Sequence, residues 1–394
     1  MSATPGATPS GAPRTLFDLA LRYHRTNPDA PLPRGGARFP LRPRGDEGPL
    51  PDHTRAAVEV AALLDRYFAD PRVPPRALAA RLDGLPAAYG PDEHIGRAAA
   101  RAPAAKARQT GRWLVRHGTG PGAVCAGLAL LAEAGTAHDI PRIQTIGLHA
   151  NAFGHLAAVA LERLPGGVEA LLWLADRVTE WGRVHVVHEL CRHADAHPAV
   201  RPWLLRKALA RGEFLNSYVV DHVLRVTAPH EAVVQHGRDT DVMDHAGRLL
   251  HVMTYAEGMG TSLRHYPHAL AVLEAHVRHL GKADPTVERY FTGASVAHHL
   301  GVETPVGTDG PALKAGWDTV RKAYLGLLDR AEWCATAREG LAAGDEWLGM
   351  LAHSVAPELG LRAYLGDAPG GESHGEESHR EESPCAEFPC TESL

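Results

Sequence analysis

Lysine is nearly absent from this chain. Almost all of the positive charge is carried by arginine, because only five of the 41 basic residues are lysines, at positions 106, 207, 282, 314 and 322. Together with the abundance of alanine and glycine, this indicates a GC-rich coding sequence. Because such a sequence favours histidine codons, the 25 histidines are weaker evidence for metal binding or acid-base chemistry than their number suggests. The formal net charge of −5 argues against a dedicated nucleic-acid binder, which carries a basic stripe.

Long apolar runs are missing as well. The longest, Ala123 to Ala132, is interrupted by Glu133 and is far shorter than the roughly 20 residues that a bilayer span needs. The first thirteen residues contain neither the basic region nor the apolar core of a secretory signal. The five cysteines are an odd number at spacings that make no disulfide framework. We therefore expect a cytoplasmic protein with no membrane contact.

Common catalytic signatures are also lacking. The sequence has no Gly-rich phosphate loop, no Gly-x-Ser-x-Gly elbow and no Cys-x-x-Cys pair. Its composition, 44% hydrophobic and 22% charged, is close to the average for globular proteins, so we expect the main part of the chain to fold. A length of 394 residues exceeds the size of one compact core, so the chain forms either two ordinary domains or one elongated repeat body.

Helical periodicity dominates from residue 53 onward. Apolar residues recur at the i, i+3, i+4, i+7 spacing of an amphipathic helix, and no convincing period-2 strand is present. Two segments that match this spacing in full are Leu171, Leu174, Ala175 and Val178, and Leu348, Leu351, Ala352 and Val355. The pattern predicts an all-α fold.

Composition divides the chain into four parts. We expect a disordered N-terminal tail over 1–13, a short helix followed by a Pro/Gly/Arg-rich connection over 14–52, and a helical repeat domain over 53–366. The last part, 367–394, is rich in acidic residues, serine and histidine and is expected to be disordered.

The helical segments show a weak internal repeat. Leu128, Leu131, Ala132, Glu133 and Thr136 match Leu171, Leu174, Ala175, Asp176 and Thr179 at an offset of 43 residues. HEAT and armadillo units have periods of about 40 to 47 residues. The chain, and especially the block from Leu172 to His185, resembles HEAT/armadillo-like helical repeat proteins of an uncharacterised bacterial type. This resemblance implies an α-solenoid of stacked antiparallel helix pairs, with a long groove as the place for function.

Trp181, Arg183 and His185 lie at the start of one predicted helix and are the candidate partner-binding residues. Tryptophan and arginine are over-represented among binding hot spots, although the two side chains also suit packing between repeats, with the guanidinium on the indole face. We expect a non-enzymatic scaffold that binds a protein or peptide in its groove and holds no cofactor.

Two His-Glu dipeptides form a candidate metal site. His188-Glu189 and His230-Glu231 lie 42 residues apart, about one repeat. Deoxyhypusine hydroxylases, which are HEAT-like enzymes, hold a di-iron centre with His-Glu motifs from related repeats; this chain is similar only in having two such dipeptides where that family uses four. The alternative function is therefore an enzyme on the same scaffold, either a metal-dependent hydroxylase or a nucleic-acid repair enzyme. If the two dipeptides bind no metal, we expect His188 and His230 to be solvated or hydrogen-bonded side chains.

Overall fold

The computed structural model describes residues 15–37, 53–236, 238–307 and 310–364. Within these ranges the chain forms twenty α-helices, a few 3₁₀ turns and no β-strand, which confirms the predicted all-α fold. The predicted tails, 1–13 and 367–394, and most of the predicted connection lie outside them. Within the described ranges, no helix is at once long enough and apolar enough to cross a membrane.

The α-helices, in chain order, are α1 Leu16–Thr26, α2 His53–Ala69, α3 Pro75–Leu82, α4 Glu93–Arg101, α5 Ala104–His117, α6 Pro121–Ala134, α7 Ile140–Gly147, α8 Ala150–Glu162, α9 Gly167–Ala175, α10 Glu180–Arg192, α11 Val200–Lys207, α12 Val220–Thr227, α13 Pro229–His236, α14 Thr240–Met253, α15 Ala269–Leu280, α16 Val287–Val302, α17 Gly310–Leu328, α18 Ala331–Ala342, α19 Glu346–Ser354 and α20 Ala356–Leu359. A 3₁₀ turn, Phe214–Tyr218, lies between α11 and α12.

Short polar side chains set several of the helix starts. Asp345 accepts hydrogen bonds from the backbone N–H groups of Trp347 and Leu348 at the start of α19. Thr15 caps α1 and Asp92 caps α4 in the same way. These caps satisfy backbone donors that the first helical turn leaves without a partner.

The helices contact one another in two series. In the first row, α2, α4, α6, α8 and α10 each pack against the next, and the series continues through the 3₁₀ turn to α14, α16 and α19. In the second row, α3, α5, α7 and α9 pack in sequence, and so do α13, α15 and α17. Neighbours in sequence, such as α5 with α6 and α16 with α17, join the two rows.

Helix α6 shows how adjacent helices share hydrophobic surface. It is apolar around its whole circumference, and its buried side chains divide between two core clusters. Ala123 and Leu130 pack with α2 to α5, whereas Val124 and Leu128 pack with α7 to α9 and beyond. A helix buried on all sides needs a neighbour on both flanks, so the core runs from one helix to the next.

Glycine allows α8 and α10 to approach closely. A Cβ atom on Gly182 would lie 2.4 Å from Cβ of Ala150 and 2.7 Å from the Ala150 carbonyl oxygen, and one on Gly154 would lie 2.8 Å from Cα of Gly182. Neither position has room for a side chain. This contact sets the distance between the two helices that carry the first rings of the site described below.

The substitution Gly182→Ala is expected to destabilise the protein by about 1 to 3 kcal/mol, because α8 and α10 must move apart. In the matched control Gly326→Ala, on α17, no atom lies within 4 Å of the added methyl group. The control is expected to be neutral or stabilising by up to about 1 kcal/mol. Urea unfolding of both variants measures the difference, and equal stabilities would contradict the close contact.

The N-terminal segment packs onto the helical body. Helix α1 contacts α5 and α7, and Leu16, Phe17, Ala20 and Leu32 are buried in the main core. His149, at the start of α8, holds both ends of this segment. Its Nδ1 accepts a hydrogen bond from the Ala37 N–H at 2.9 Å, and its Nε2 donates to the Leu16 carbonyl oxygen at 2.9 Å. Burial lowers the pKa of His149, which keeps the ring in the neutral form that these two bonds require.

Candidate functional site

A row of rings crosses the first row of helices, beginning at α8. His155 on α8 stacks on His185 of α10, with ring centroids 3.8 Å apart and planes 5° from parallel. Trp181, one helical turn before His185, lies 6.2 Å from that imidazole and 4.9 Å from the ring of Tyr218. These four rings connect two helices with the 3₁₀ turn.

The row continues from the 3₁₀ turn to α19. Phe214 stacks on Tyr255 at 5.9 Å, and Tyr255 lies 5.3 Å from His251. His251 meets Phe291 edge to face at 5.1 Å, and Phe291 meets Trp347 at 4.6 Å. The rings of both halves, which together are called the aromatic face below, are those of His155, Trp181, His185, Phe214, Tyr218, His251, Tyr255, Phe291 and Trp347.

A cavity of about 240 Å³ opens in the second half of the aromatic face. It lies between the 3₁₀ turn, α14, α16 and α19, and its walls include Phe214, Tyr255, Phe291, Trp347 and Met350. Apolar and aromatic walls with a few polar groups are typical of sites that bind organic ligands and side chains.

The rim of the face exposes large apolar side chains. The exposed fractions are 42% for Trp181, 57% for Phe214, 41% for Tyr218 and 59% for Met350. A single exposed apolar side chain is normal on a protein surface, whereas a contiguous group of them marks an interaction site. Trp181 contacts Tyr218, and Phe214 and Met350 both line the cavity; the 3₁₀ turn, which carries Tyr218 and Phe214, joins the two pairs along the chain.

Two guanidinium groups share one carboxylate at the cavity. Nε of Arg248 lies 2.5 Å from Glu288 Oε1, and Nε of Arg211 lies 3.9 Å from Glu288 Oε2. Arg211 also lies over the indole of Trp347, with its Cζ 5.2 Å from the ring centroid. Arginine held flat on an aromatic ring keeps several donors free for a ligand.

The imidazoles of the face are neutral at physiological pH. Burial, together with the neighbouring His155 and His188, lowers the pKa of His185 to about 4. Burial lowers the pKa of His251 to about 4 as well. These rings therefore act as flat, uncharged surfaces that suit apolar and aromatic contacts.

Two of the three predicted partner-binding residues, Trp181 and His185, lie on the aromatic face. Arg183 lies elsewhere: it donates hydrogen bonds to the carbonyl oxygens of Ala175, at 2.6 Å, and of Lys207, so that it ties the end of α9 to the end of α11. Its guanidinium packs on Trp203 at 5.5 Å rather than on Trp181. The role that this geometry gives to Arg183 is structural.

The four candidate metal ligands, His188, Glu189, His230 and Glu231, do not converge on one site, because the two dipeptides contact different neighbours. His188 is exposed and stacks on His222 at 4.3 Å, while His230 stacks on His268 at 3.8 Å. Glu189 is buried beside Arg192, and Glu231 lies 3.8 Å from its neighbour His230. Among the described residues, no three histidine, cysteine, aspartate or glutamate side chains are grouped so as to hold a metal ion.

Glu189 has an unusual environment of its own. Its carboxyl group is buried and hydrogen-bonded to that of Glu162 on α8; burial and this second carboxyl raise its pKa, against the opposing charge of Arg192. Arg192 pairs with both carboxyl groups, at 2.7 Å to Glu189 and 2.9 Å to Glu162. The cluster joins α8 to α10.

Most of the cavity residues were not predicted from the sequence. These rings come from separate parts of the chain: Phe214 lies on the 3₁₀ turn, Tyr255 just past the end of α14, Phe291 on α16 and Trp347 on α19, so their meeting depends on how these parts pack. One local signal was available: the segment 211–218 places two aromatic residues in a connection between helical stripes, where core packing does not require them.

Comparison with known proteins does not supply a family for this geometry. No family model, characterised protein or solved structure matches the chain. The function must therefore be inferred from the aromatic face itself.

Proposed function

We propose that the chain is an α-solenoid of stacked helix pairs, of the HEAT/armadillo type, that acts as a non-enzymatic scaffold. The two rows of helices support this architecture, because most helices from α2 to α10, and again from α12 to α17, pack against the next-but-one helix along the chain. The core that runs through α6 supports it as well, since helix pairs in a solenoid share apolar surface with the pairs on either side.

The aromatic face is the proposed binding surface, and its partner is a protein or peptide segment. The observation that carries this proposal is two runs of ring contacts that meet at the 3₁₀ turn, one from α8 and one to α19, with a cavity in the second run. A row of rings suits a chain laid across several helices, and the cavity accepts one of its apolar side chains as an anchor. Buried aromatic anchors and arginine provide most of the binding energy in protein interfaces.

The charges at the cavity add a polar requirement. Arg211 and Arg248 both lie beside Glu288, and the second carboxylate at the cavity, Glu213, accepts a hydrogen bond from the Glu180 N–H. The guanidinium nitrogens that are not bonded to Glu288 can therefore donate to a carboxylate or backbone carbonyl of the partner beside the apolar anchor site. We expect the preferred peptide to combine a large apolar residue with an acidic residue close to it.

Selection from a random peptide display library on the immobilised full-length protein tests this proposal. Enriched peptides are expected to share an aromatic or large aliphatic residue with a nearby carboxylate, and to compete with one another for a single site. A selection that returns no sequence preference, or peptides whose binding survives the loss of the cavity aromatics in Phe291→Ala and Trp347→Ala, would contradict the proposal.

A further inference from the structure

A second surface, in the second row of helices, has a different chemistry. A groove of about 320 Å³ lies between the end of α15 and the end of α17. Its residues, which define the basic groove, are Val277, Arg278, Gly281, Lys282, Ala323, Leu327 and Arg330. Three of them are cations and none is acidic, although the chain as a whole carries a net charge of −5.

The cations of the basic groove are available for a ligand. Arg278, in the last turn of α15, and Lys282, two residues beyond the end of that helix, are both exposed, and neither forms an ion pair with a described carboxylate. Arg330 uses one nitrogen to donate to the Gly281 carbonyl oxygen at 3.1 Å, which places its guanidinium beside Lys282. The positive charge of the groove also affects a neighbouring histidine. Burial lowers the pKa of His279, and so do the charges of Lys282, Arg278 and Arg238.

The chain itself contains a segment of complementary charge. Residues 367–394 include one basic residue, Arg380, and eight carboxylates: Asp367, Glu372, Glu376, Glu377, Glu381, Glu382, Glu387 and Glu392. Their net charge is therefore −7, and the rest of the chain, with the total at −5, carries +2. The two parts attract each other.

The described chain ends beside the basic groove. The backbone N–H of Arg362 donates to Oδ1 of Asp329 at 3.0 Å, and Asp329 precedes Arg330 in the groove. Only two residues separate Tyr364 from Asp367, and an extended chain covers about 3.3 to 3.6 Å per residue, so the first carboxylates are tethered close to the cations. Such a tether gives an effective concentration on the order of millimolar.

We propose that the basic groove binds the acidic segment 367–394 of the same chain. The apolar side chains of Val277 and Leu327 at the groove favour a peptide over a bare phosphate ion, and the net negative charge of the whole chain disfavours nucleic acid. The contact does not depend on the aromatic face, which lies on the first row of helices, so either proposal can fail alone. The contact depends on several exposed ion pairs, each of which contributes little. Because dissolved salt screens exposed charges, binding of the acidic segment weakens as the salt concentration rises.

Zero-length carbodiimide cross-linking of the native full-length protein tests this proposal. Lys282 is the only amine in the groove and one of only five lysines in the chain. We expect an amide bond between Lys282 and a glutamate or aspartate of 367–394, found by mass spectrometry in monomeric protein. Its yield is expected to fall at least fivefold when the reaction is run in 1 M NaCl.

Two charge-matched variants separate docking from mere tethering. Arg278→Gln removes one groove cation and is expected to lower the Lys282 cross-link at least threefold. Arg76→Gln removes one exposed cation from α3, outside the groove, and is expected to leave the yield unchanged. Equal yields in the two variants, or a cross-link confined to dimers, would overturn the proposal.

Discussion

The double variant Trp181→Ala, Phe214→Ala is expected to bind a library-selected peptide about 100-fold more weakly than the wild type, or weaker still. Each ring is a large exposed aromatic on the rim of the aromatic face, at 42% and 57% exposure. Removing a hot-spot aromatic costs about 2 kcal/mol or more in binding. Two such losses together exceed the roughly 2.8 kcal/mol that corresponds to 100-fold in affinity. Titration calorimetry with one selected peptide measures the change.

The same double variant should remain as stable as the wild type, because neither ring belongs to the buried core. A control variant, Val234→Ala, removes another exposed apolar side chain, at 55% exposure, from α13 in the second row. It is expected to keep wild-type affinity. If the control weakens binding as much as the double variant does, the aromatic face is not the binding surface.

Lowering the pH from 7.5 to 5 is expected to cost about 4 kcal/mol of folding free energy through two buried histidines, His245 and His276. Nε2 of His245 accepts a hydrogen bond from the Leu209 N–H at 3.1 Å. Nδ1 of His276 lies 2.7 Å from the hydroxyl oxygen of Tyr324. Burial lowers the pKa of each of these histidines to about 3. Both rings are therefore neutral in the folded protein over this pH range.

The direction of the effect follows from proton uptake by the unfolded chain. An unfolded histidine takes up its proton near pH 6.5, whereas these two folded histidines do so only near pH 3. Stability is therefore complete above about pH 7.5 and falls as the pH drops through 6.5 toward 3. At pH 5 the loss is about 2 kcal/mol for each histidine, since one pH unit is worth about 1.4 kcal/mol for each proton.

Urea unfolding at several pH values tests this effect. The variants His245→Gln and His276→Asn keep a polar atom near the position of the bonded nitrogen but do not titrate. Each variant is expected to flatten the pH dependence by about 2 kcal/mol between pH 7.5 and 5, whatever other groups contribute. Variants that keep the full wild-type pH dependence would contradict the buried, neutral state of these rings.

The helices were predictable because each depends on a local pattern. The stripe that begins at Leu171 lies on α9 except for its last member, Val178, and the stripe that begins at Leu348 lies on α19 except for its last member, Val355. The repeat register depends on more than a local pattern. The 43-residue offset pairs Leu128 on α6, in the first row, with Leu171 on α9, in the second.

The first-row helices α6, α8 and α10 begin at residues 121, 150 and 180, only 29 or 30 residues apart. Similar apolar stripes occur in both rows because helices of both rows bury one face against the same core. A match between two stripes therefore cannot tell which row each helix belongs to, and the 43-residue offset pairs helices from different rows.

The candidate site was predictable only in part, for the same reason. Trp181 and His185 share one helix, so their common face follows from their spacing, and both lie on the aromatic face. Arg183 follows Trp181 by two residues, which on a helix directs it to a different side, and it bonds to carbonyl oxygens there. The cavity needs contacts between residues as distant in sequence as Phe214 and Trp347, which no local pattern contains.

Hydrogen–deuterium exchange with and without a selected peptide is the most direct test of the central claim, that a partner segment binds across the aromatic face. The account predicts slower exchange in α10, in the 3₁₀ turn Phe214–Tyr218, in the C-terminal half of α14 and in α19. It predicts no change in α13, α15 and α17 of the second row. Protection confined to those second-row helices, with none at Trp181 or Phe214, would contradict it.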